Sequence, residues 1–248
     1  MTRFLHLAKD AVDGDRVTFE TAAAHHLGRV LRAAVGDVVQ AVDHGGGALL
    51  SVRLTAIAPR RAEGLIVGRT PLATESPLDL TLAQGVPKGD KMDGIVRMAT
   101  ELGVTRVIPL LTARTVVRLE PARWTARLGR WQRIAKEAAQ QSGRATIPEI
   151  AAPRDVSSWA REAGATGLLV CLWEEEREGL ARRLPAGPCP RVTVVVGPEG
   201  GLTADEVRGL ADAGAVVAGL GPRLLRTETA GAVAVALLQS RYGDLGTA

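Results

Sequence analysis

Apolar and polar positions alternate in short runs over the first 70 residues and recur with a longer period after them. Arg16–Phe19, Asp37–Val42, Ala48–Leu54 and Gly64–Val67 read as β-strands, and one helical stretch, Thr21–Leu31, interrupts them. Asp43-His44-Gly45-Gly46-Gly47, between two of these runs, has the chemistry of a hairpin turn. The pattern predicts a small β-barrel domain over residues 1–70. Residues 71–77 begin and end on proline and read as a linker.

From residue 78 strands and helices alternate. Leu78–Ala83 and Val104–Leu110 are β-runs flanking a helix that carries Met92, Ile95, Val96, Ala99 and Leu102 on one face. A long helix follows from Pro121 to Gly143. Its tryptophans, Trp124 and Trp131, share a face with Leu128, Ala135 and Ala138, which favours core packing over base stacking. Further β-runs are Gly167–Leu172, Arg191–Val196 and Ala215–Leu220. Thr203-Ala204-Asp205-Glu206 is a capping box that opens a helix between the last two. The final helix, Thr227–Tyr242, is apolar along Ala230, Val233, Ala234, Leu237 and Leu238, so it buries against a partner subunit or against its own sheet. The alternation predicts an α/β domain over 78–248, a parallel sheet covered by helices.

Composition narrows the class. With 46% hydrophobic and 23% charged residues the chain is globular and large enough for a real core. No apolar run is long enough to span a bilayer and no apolar leader opens the chain. Two cysteines, Cys171 and Cys189, lie outside any metal-ligand spacing. The expectation is a cytoplasmic protein without membrane association and without a metal. The net charge of +4 is unevenly spread: residues 114–144 hold eight basic residues against two acids. Such a segment is either a polyanion surface or a solvated helix face.

The chemistry concentrates at two strand ends. Val194–Val196 runs into Gly197-Pro198-Glu199-Gly200-Gly201, and Val216–Leu220 runs into Gly221-Pro222-Arg223-Leu224-Leu225-Arg226-Thr227-Glu228-Thr229. Ligands of open α/β sheets bind beyond the carboxyl ends of strands, and glycine there lets backbone N–H and C=O groups approach an adenine edge or a ribose. Two tight βα turns would need glycine as well. No GxxxxGK[ST], GxGxxG or GxSxG pattern occurs, so phosphate-cradle, dinucleotide and serine-hydrolase readings lack support. The four histidines all lie in the N-terminal part, away from these turns.

These two turns resemble the signature of the bacterial 16S ribosomal RNA uridine-N3 methyltransferases, members of the SPOUT superfamily of knotted methyltransferases. Gly28–Arg32, Lys88–Asp93, Glu101–Val104, Gln141–Arg144 and Arg241–Gly246 are similar to that family in the same order, so the resemblance covers the chain; it departs at Met98 and Ala113. The resemblance implies a PUA-like RNA-binding barrel followed by a SPOUT α/β domain with a trefoil knot. It implies S-adenosyl-L-methionine as methyl donor, held by Leu172, Trp173, Gly197, Pro198, Glu199, Gly200, Gly201, Leu220, Gly221, Pro222, Leu225, Arg226 and Thr227. It further implies a homodimer and, as substrate, a uridine of 16S rRNA in the small ribosomal subunit.

Uridine N3 carries a proton that must leave before its lone pair can react. Arg226 is the first choice to stabilise the resulting charge, and Glu199 and Glu228 are candidates for base or for counter-charge to the sulfonium. Helix capping with an Arg226–Glu228 ion pair, and a dipole role for Glu199, are the alternatives. Arg3, Arg29, Arg32, Arg114 and Arg144 are the candidate RNA contacts, with Arg29 and Arg32 expected on one helical face. Two rivals stand beside the enzyme: a non-catalytic RNA-binding or ribosome-assembly factor, and a related knotted methyltransferase of tRNA or of a ribose 2′-hydroxyl.

Overall fold

A computed structural model of the chain describes residues 4–246, apart from residue 9 and residues 44–47, 72–74, 118–119 and 164–166. It separates into two compact units, Met1–Glu75 with Ala139–Thr146, and Ser76–Ala138 with Ile147–Ala248. Residues 139–146, at the end of the long helix, therefore group with the first unit rather than with the α/β domain that surrounds them in sequence. Arg3, Arg118, most of the expected 43–47 turn and the middle of the expected linker lie outside the described residues.

The first unit is built on β1 (Leu5–His6), β2 (Val12–Asp13), β3 (Arg16–Glu20), α1 (Thr21–His25), β4 (Val38–Asp43), β5 (Ala48–Ala58) and β6 (Arg61–Pro71). The strands form one sheet in the order β1-β4-β5-β6-β3-β2. All pairs are antiparallel except β1 with β4. The period of two sorts the side chains: Leu50, Val52 and Leu54 of β5 and Val17 and Phe19 of β3 are buried with Leu27 in one core. The expected helix to Leu31 is shorter and irregular. A π-helical turn, His26–Val30, follows α1, and Arg32 has φ +50. Arg29 and Arg32 are both exposed, yet the turn breaks the regular spacing that would have set them on one helical face.

The second unit contains β7 (Asp79–Gly85), α2 (Lys91–Glu101), β8 (Arg106–Leu111), α3 (Pro121–Ser142) as far as Ala138, β9 (Glu149–Ile150), β10 (Arg154–Asp155), α4 (Val156–Ala163), β11 (Leu168–Leu172), α5 (Leu180–Arg183), β12 (Arg191–Val196), α6 (Ala204–Asp212), β13 (Val216–Ala218) and α7 (Thr227–Tyr242). Its sheet is parallel throughout, in the order β10-β8-β7-β12-β11-β13, with β9 beside β8. Because helices cover both faces, alternate residues of one strand enter different cores. Leu80 and Leu82 of β7 and Val192 and Val194 of β12 pack with Met92, Trp131, Val235 and Leu238, whereas Ala83 and Val195 pack with Trp159, Val207 and Leu210. Trp124 and Trp131 pack in the first of these cores, their ring centroids 6.4 Å apart. Helices α4 and α5 had no counterpart in the sequence reading. Strand β13 is shorter than Ala215–Leu220, because Gly219 leaves it to bridge Gly179 and exchange backbone hydrogen bonds with Glu178 and Leu180.

The topology sets up the site. Strand β12 follows β8 and β11 in the chain but inserts between β7 and β11, so the loops after these parallel strands converge at one end of the sheet.

Candidate active site

A cavity of about 510 Å³ lies at that end. Its walls are Leu172, Trp173, Glu174 and Glu176 at the end of β11, Val196–Gly201 at the end of β12, Gly219–Thr227 between β13 and α7, together with Lys91 and Ala230. All thirteen positions grouped as donor contacts line it, from Leu172 and Trp173 through Gly197–Gly201 to Leu220–Pro222 and Leu225–Thr227. Lys91, Glu174, Glu176 and Gly219 line it too and were not foreseen. Lys91 stood within the Lys88–Asp93 motif but carried no signal of its own that it would fold back on this pocket.

Each turn is held by local chemistry. Gly201 N–H donates to the Pro198 carbonyl at 2.9 Å, closing the turn after β12. Gly201 sits at φ +72, and a Cβ there would collide with the Glu174 carboxylate, so glycine is required on both counts. The next residues form the expected capping box: Glu206 N–H donates to Thr203 Oγ1 at 3.3 Å, and Thr203 N–H to Glu206 Oε2 at 2.8 Å. The loop after β11 is laced to β13 by Trp173 N–H donating to the Ala218 carbonyl at 3.0 Å.

A buried polar junction joins three elements beneath the cavity. Gln84, fully buried on β7, donates from Nε2 to Thr227 Oγ1 at 2.9 Å and to the carbonyls of Gly85 and Gly197 at 3.0 and 3.3 Å. The Thr227 hydroxyl donates in turn to the Gly197 carbonyl at 2.6 Å. The start of α7 is thereby fastened to the turn after β12.

Charge is arranged around Lys91. Its Nζ lies 2.9 Å from Glu199 Oε1 and 3.8 Å from Glu228 Oε2. Burial of Glu199 works to raise its pKa. The hydrogen bonds from Lys91 Nζ and from its own and the Lys88 backbone N–H, with the Lys91 charge, outweigh that and hold the carboxyl below its ordinary value. Arg226, by contrast, is exposed at the N-cap of α7 and pairs with no carboxylate among the described residues. The Arg226–Glu228 ion pair considered from sequence is not formed, because Glu228 turns to Lys91 instead.

Two candidate RNA contacts are engaged by other groups of the protein, Arg144 in the interior and Arg114 at the surface. Arg144 is 4% exposed and donates to Glu75 Oε2 from Nε at 3.2 Å and from Nη2 at 2.7 Å. Its charge is neutralised in the interior, which corrects its placement on an RNA surface. Arg114 reaches the cavity rim, where its guanidinium donates to the Gly200 carbonyl. Among the described residues no group of His, Cys, Asp and Glu is placed to hold a metal, and no helix is long and apolar enough to cross a membrane.

This arrangement, a parallel α/β sheet with glycine turns around one cavity, following a small mixed-sheet unit, defines a class. Residues 74–239 match the family model of an RNA methyltransferase domain, and residues 19–67 match that of an RNA methyltransferase PUA domain. The chain is 34% identical over 240 residues to the ribosomal RNA small subunit methyltransferase E of Bacillus subtilis, covering 92% of this chain and 91% of that protein. It is 36% identical over 239 residues to the protein of that name from Synechocystis, covering 95% and 77%. A crystal structure of a ribosomal RNA small subunit methyltransferase E from Neisseria gonorrhoeae, bound to S-adenosyl methionine, superposes with a TM-score of 0.87 at 32% identity, covering 98% of this chain and 99% of that one. The chain belongs to the ribosomal RNA small subunit methyltransferase E family.

Proposed function

We propose that this protein is an S-adenosylmethionine-dependent methyltransferase acting on N3 of a uridine in 16S rRNA of the small ribosomal subunit, in the cytoplasm. The observation that carries the proposal is Arg226, without a carboxylate partner among the described residues, at the wall of a cavity built from three glycine-bearing strand ends.

The residues present fit the donor. About 510 Å³ is within the range of pockets that enclose nucleotide-sized ligands. The buried Trp173 Nε1 has no hydrogen-bond partner among the described residues, leaving a donor for a ligand acceptor. Gly221, at φ +97, faces open space that a side chain would occupy. Bound S-adenosylmethionine supplies a methyl group on a sulfonium sulfur. The glycine turns hold it, with Leu220 and Leu225 as apolar walls.

N3 of the uridine must lose its proton before its lone pair could accept the methyl group that the donor would supply. Arg226 stabilises the negative charge that the departing proton leaves on the uracil oxygens. A charge-assisted hydrogen bond of this kind contributes about 1.5–3 kcal/mol, or roughly 10–100-fold in rate. Glu199, held ionised by Lys91, is a weak base, and Glu228 is turned toward the same lysine. Both acids are therefore assigned to electrostatics rather than to proton abstraction, and the proton leaves to solvent.

The same reading includes the first unit as the RNA-binding domain, a trefoil knot in the second, and a homodimer. The position of β12 between β7 and β11 supports the knot. The dimer is supported by α7, which buries Ala234, Val235 and Leu238 on its own unit but leaves Leu237 39% exposed and Ala230 and Val233 half-buried.

The test is mass analysis of nucleosides from 16S rRNA or small subunits incubated with the protein and donor. 3-Methyluridine is expected. Methylation of a ribose hydroxyl or of tRNA alone would overturn the assignment, and the absence of any methyl transfer would favour the assembly-factor rival. In single-turnover measurements the rate should rise with pH and level off past the N3 pKa. Arg226→Ala should shift that apparent pKa upward and slow the reaction, and Arg226→Lys should restore only part.

A further inference from the structure

Arg114 was grouped with the RNA contacts because it begins the basic segment. Its surroundings assign it elsewhere. It lies in the loop after β8, and that loop is fixed from within: Thr115 N–H donates to the Thr112 carbonyl at 3.0 Å, and Thr112 N–H to Thr115 Oγ1 at 2.9 Å. The loop is also pinned from outside. Ala113 N–H donates to Oε1 of the buried Glu206 at 2.7 Å, while the other Glu206 oxygen accepts from Thr203. The capping box of α6 thus doubles as an anchor for the neighbouring loop.

From that anchored base Arg114 extends over the turn after β12. Its Nη1 donates to the Gly200 carbonyl and stands 3.9 Å from Glu174 Oε1 on the loop after β11. Its stem lies flat on Gly200: a Cβ at that glycine would stand 3.1 Å from Arg114 Cβ and 3.3 Å from Cδ. The adjacent Gly201 leaves room for the Glu174 carboxylate in the same way. Gly200-Gly201, read from sequence as room for a ligand, also gives room to Arg114 and Glu174.

We infer that Arg114 is a positioning residue of the donor site, a strap that joins the loops after β8, β11 and β12 and sets the Gly200-Gly201 wall of the cavity. It acts through that wall and not by contacting RNA. The inference rests on the reading of the cavity as the S-adenosylmethionine site.

The experiment compares wild type with Arg114→Met, which keeps the stem over Gly200 and removes the donor groups, and with Arg114→Lys. S-Adenosylhomocysteine affinity is measured by calorimetry, donor KM and kcat by methyl transfer, and RNA affinity across a salt series. In Arg114→Met, S-adenosylhomocysteine affinity should fall about threefold to tenfold, the range for a partly exposed charged hydrogen bond. Donor KM should rise with kcat at saturating donor near wild type, and RNA affinity and salt slope should not change. Arg114→Lys should recover part of the loss, because lysine reaches one acceptor but lacks the fork. A general folding defect would lower kcat and the thermal midpoint together. Unchanged donor affinity in Arg114→Met would overturn the inference, as would a salt slope reduced by about 0.7, the signature of one phosphate of single-stranded RNA left without its cation. A wild type with no saturable binding of S-adenosylhomocysteine would refute the donor reading itself and the inference with it.

Discussion

Replacing Thr227 by valine tests whether the buried junction beneath the cavity organises it. Valine has the same shape and lacks only the hydroxyl, which in the wild type donates to the Gly197 carbonyl at 2.6 Å and accepts from Gln84 Nε2 at 2.9 Å. Two neutral hydrogen bonds disappear, each contributing about 1 kcal/mol net. The partners are not orphaned, since Gln84 Nε2 retains the Gly85 carbonyl at 3.0 Å and still reaches Gly197 at 3.3 Å. The full desolvation penalty of an abandoned buried group is therefore avoided, and the expected cost is about 2 kcal/mol. For a chain of this size that is a fall of roughly 4–8 °C in Tm. Because one of the two bonds ends on Gly197, the turn after β12 should also loosen and donor affinity should drop. Calorimetric unfolding and titration with S-adenosylhomocysteine read the two effects, with Thr227→Ser, which keeps the hydroxyl, as the control. A Thr227→Val protein that melts within about 1 °C of wild type and binds the donor product normally would refute the claim that this junction holds the site together.

Three further outcomes are expected. Lys91→Met removes the cation that opposes burial at Glu199, so the Glu199 pKa should move upward, which carbon-detected NMR titration can follow. Since the folded carboxyl titrates below its ordinary 4.5, its contribution to stability is present above that pH and fades as pH falls through the folded value; Lys91→Met should lose this acid-limb dependence. Leu237→Glu, at the half-open stripe of α7, should yield monomers by light scattering at concentrations where wild type is dimeric, and a monomeric wild type would remove the dimer from the proposal. Arg29→Ala with Arg32→Ala should weaken RNA binding and lower the salt slope by about 0.7 for each phosphate no longer neutralised; an unchanged slope would move the RNA surface elsewhere.

The sequence by itself marked most of the elements and the loops that line the cavity. Period-two runs marked β3, β5 and β6, the period of 3.6 marked α2, α3 and α7, and Thr203-x-x-Glu206 marked the start of α6. Gly-Pro at two strand ends pointed to the loops that line the cavity. These signals are legible because strand and helix periods, caps and tight turns are properties of a few neighbouring residues. The tertiary structure alone decided what each charged side chain faces. Lys91 meets the sequence-distant Glu199 only because β12 inserts beside β7. Glu228 turns to that lysine instead of to Arg226, Arg144 is spent on Glu75, and Arg114, though partly exposed, lies over Gly200. A run of arginines looks the same whether its members meet water, RNA or a buried carboxylate. The difference arises from desolvation and from the partners that folding brings within hydrogen-bond reach, and neither is encoded in spacing along the chain.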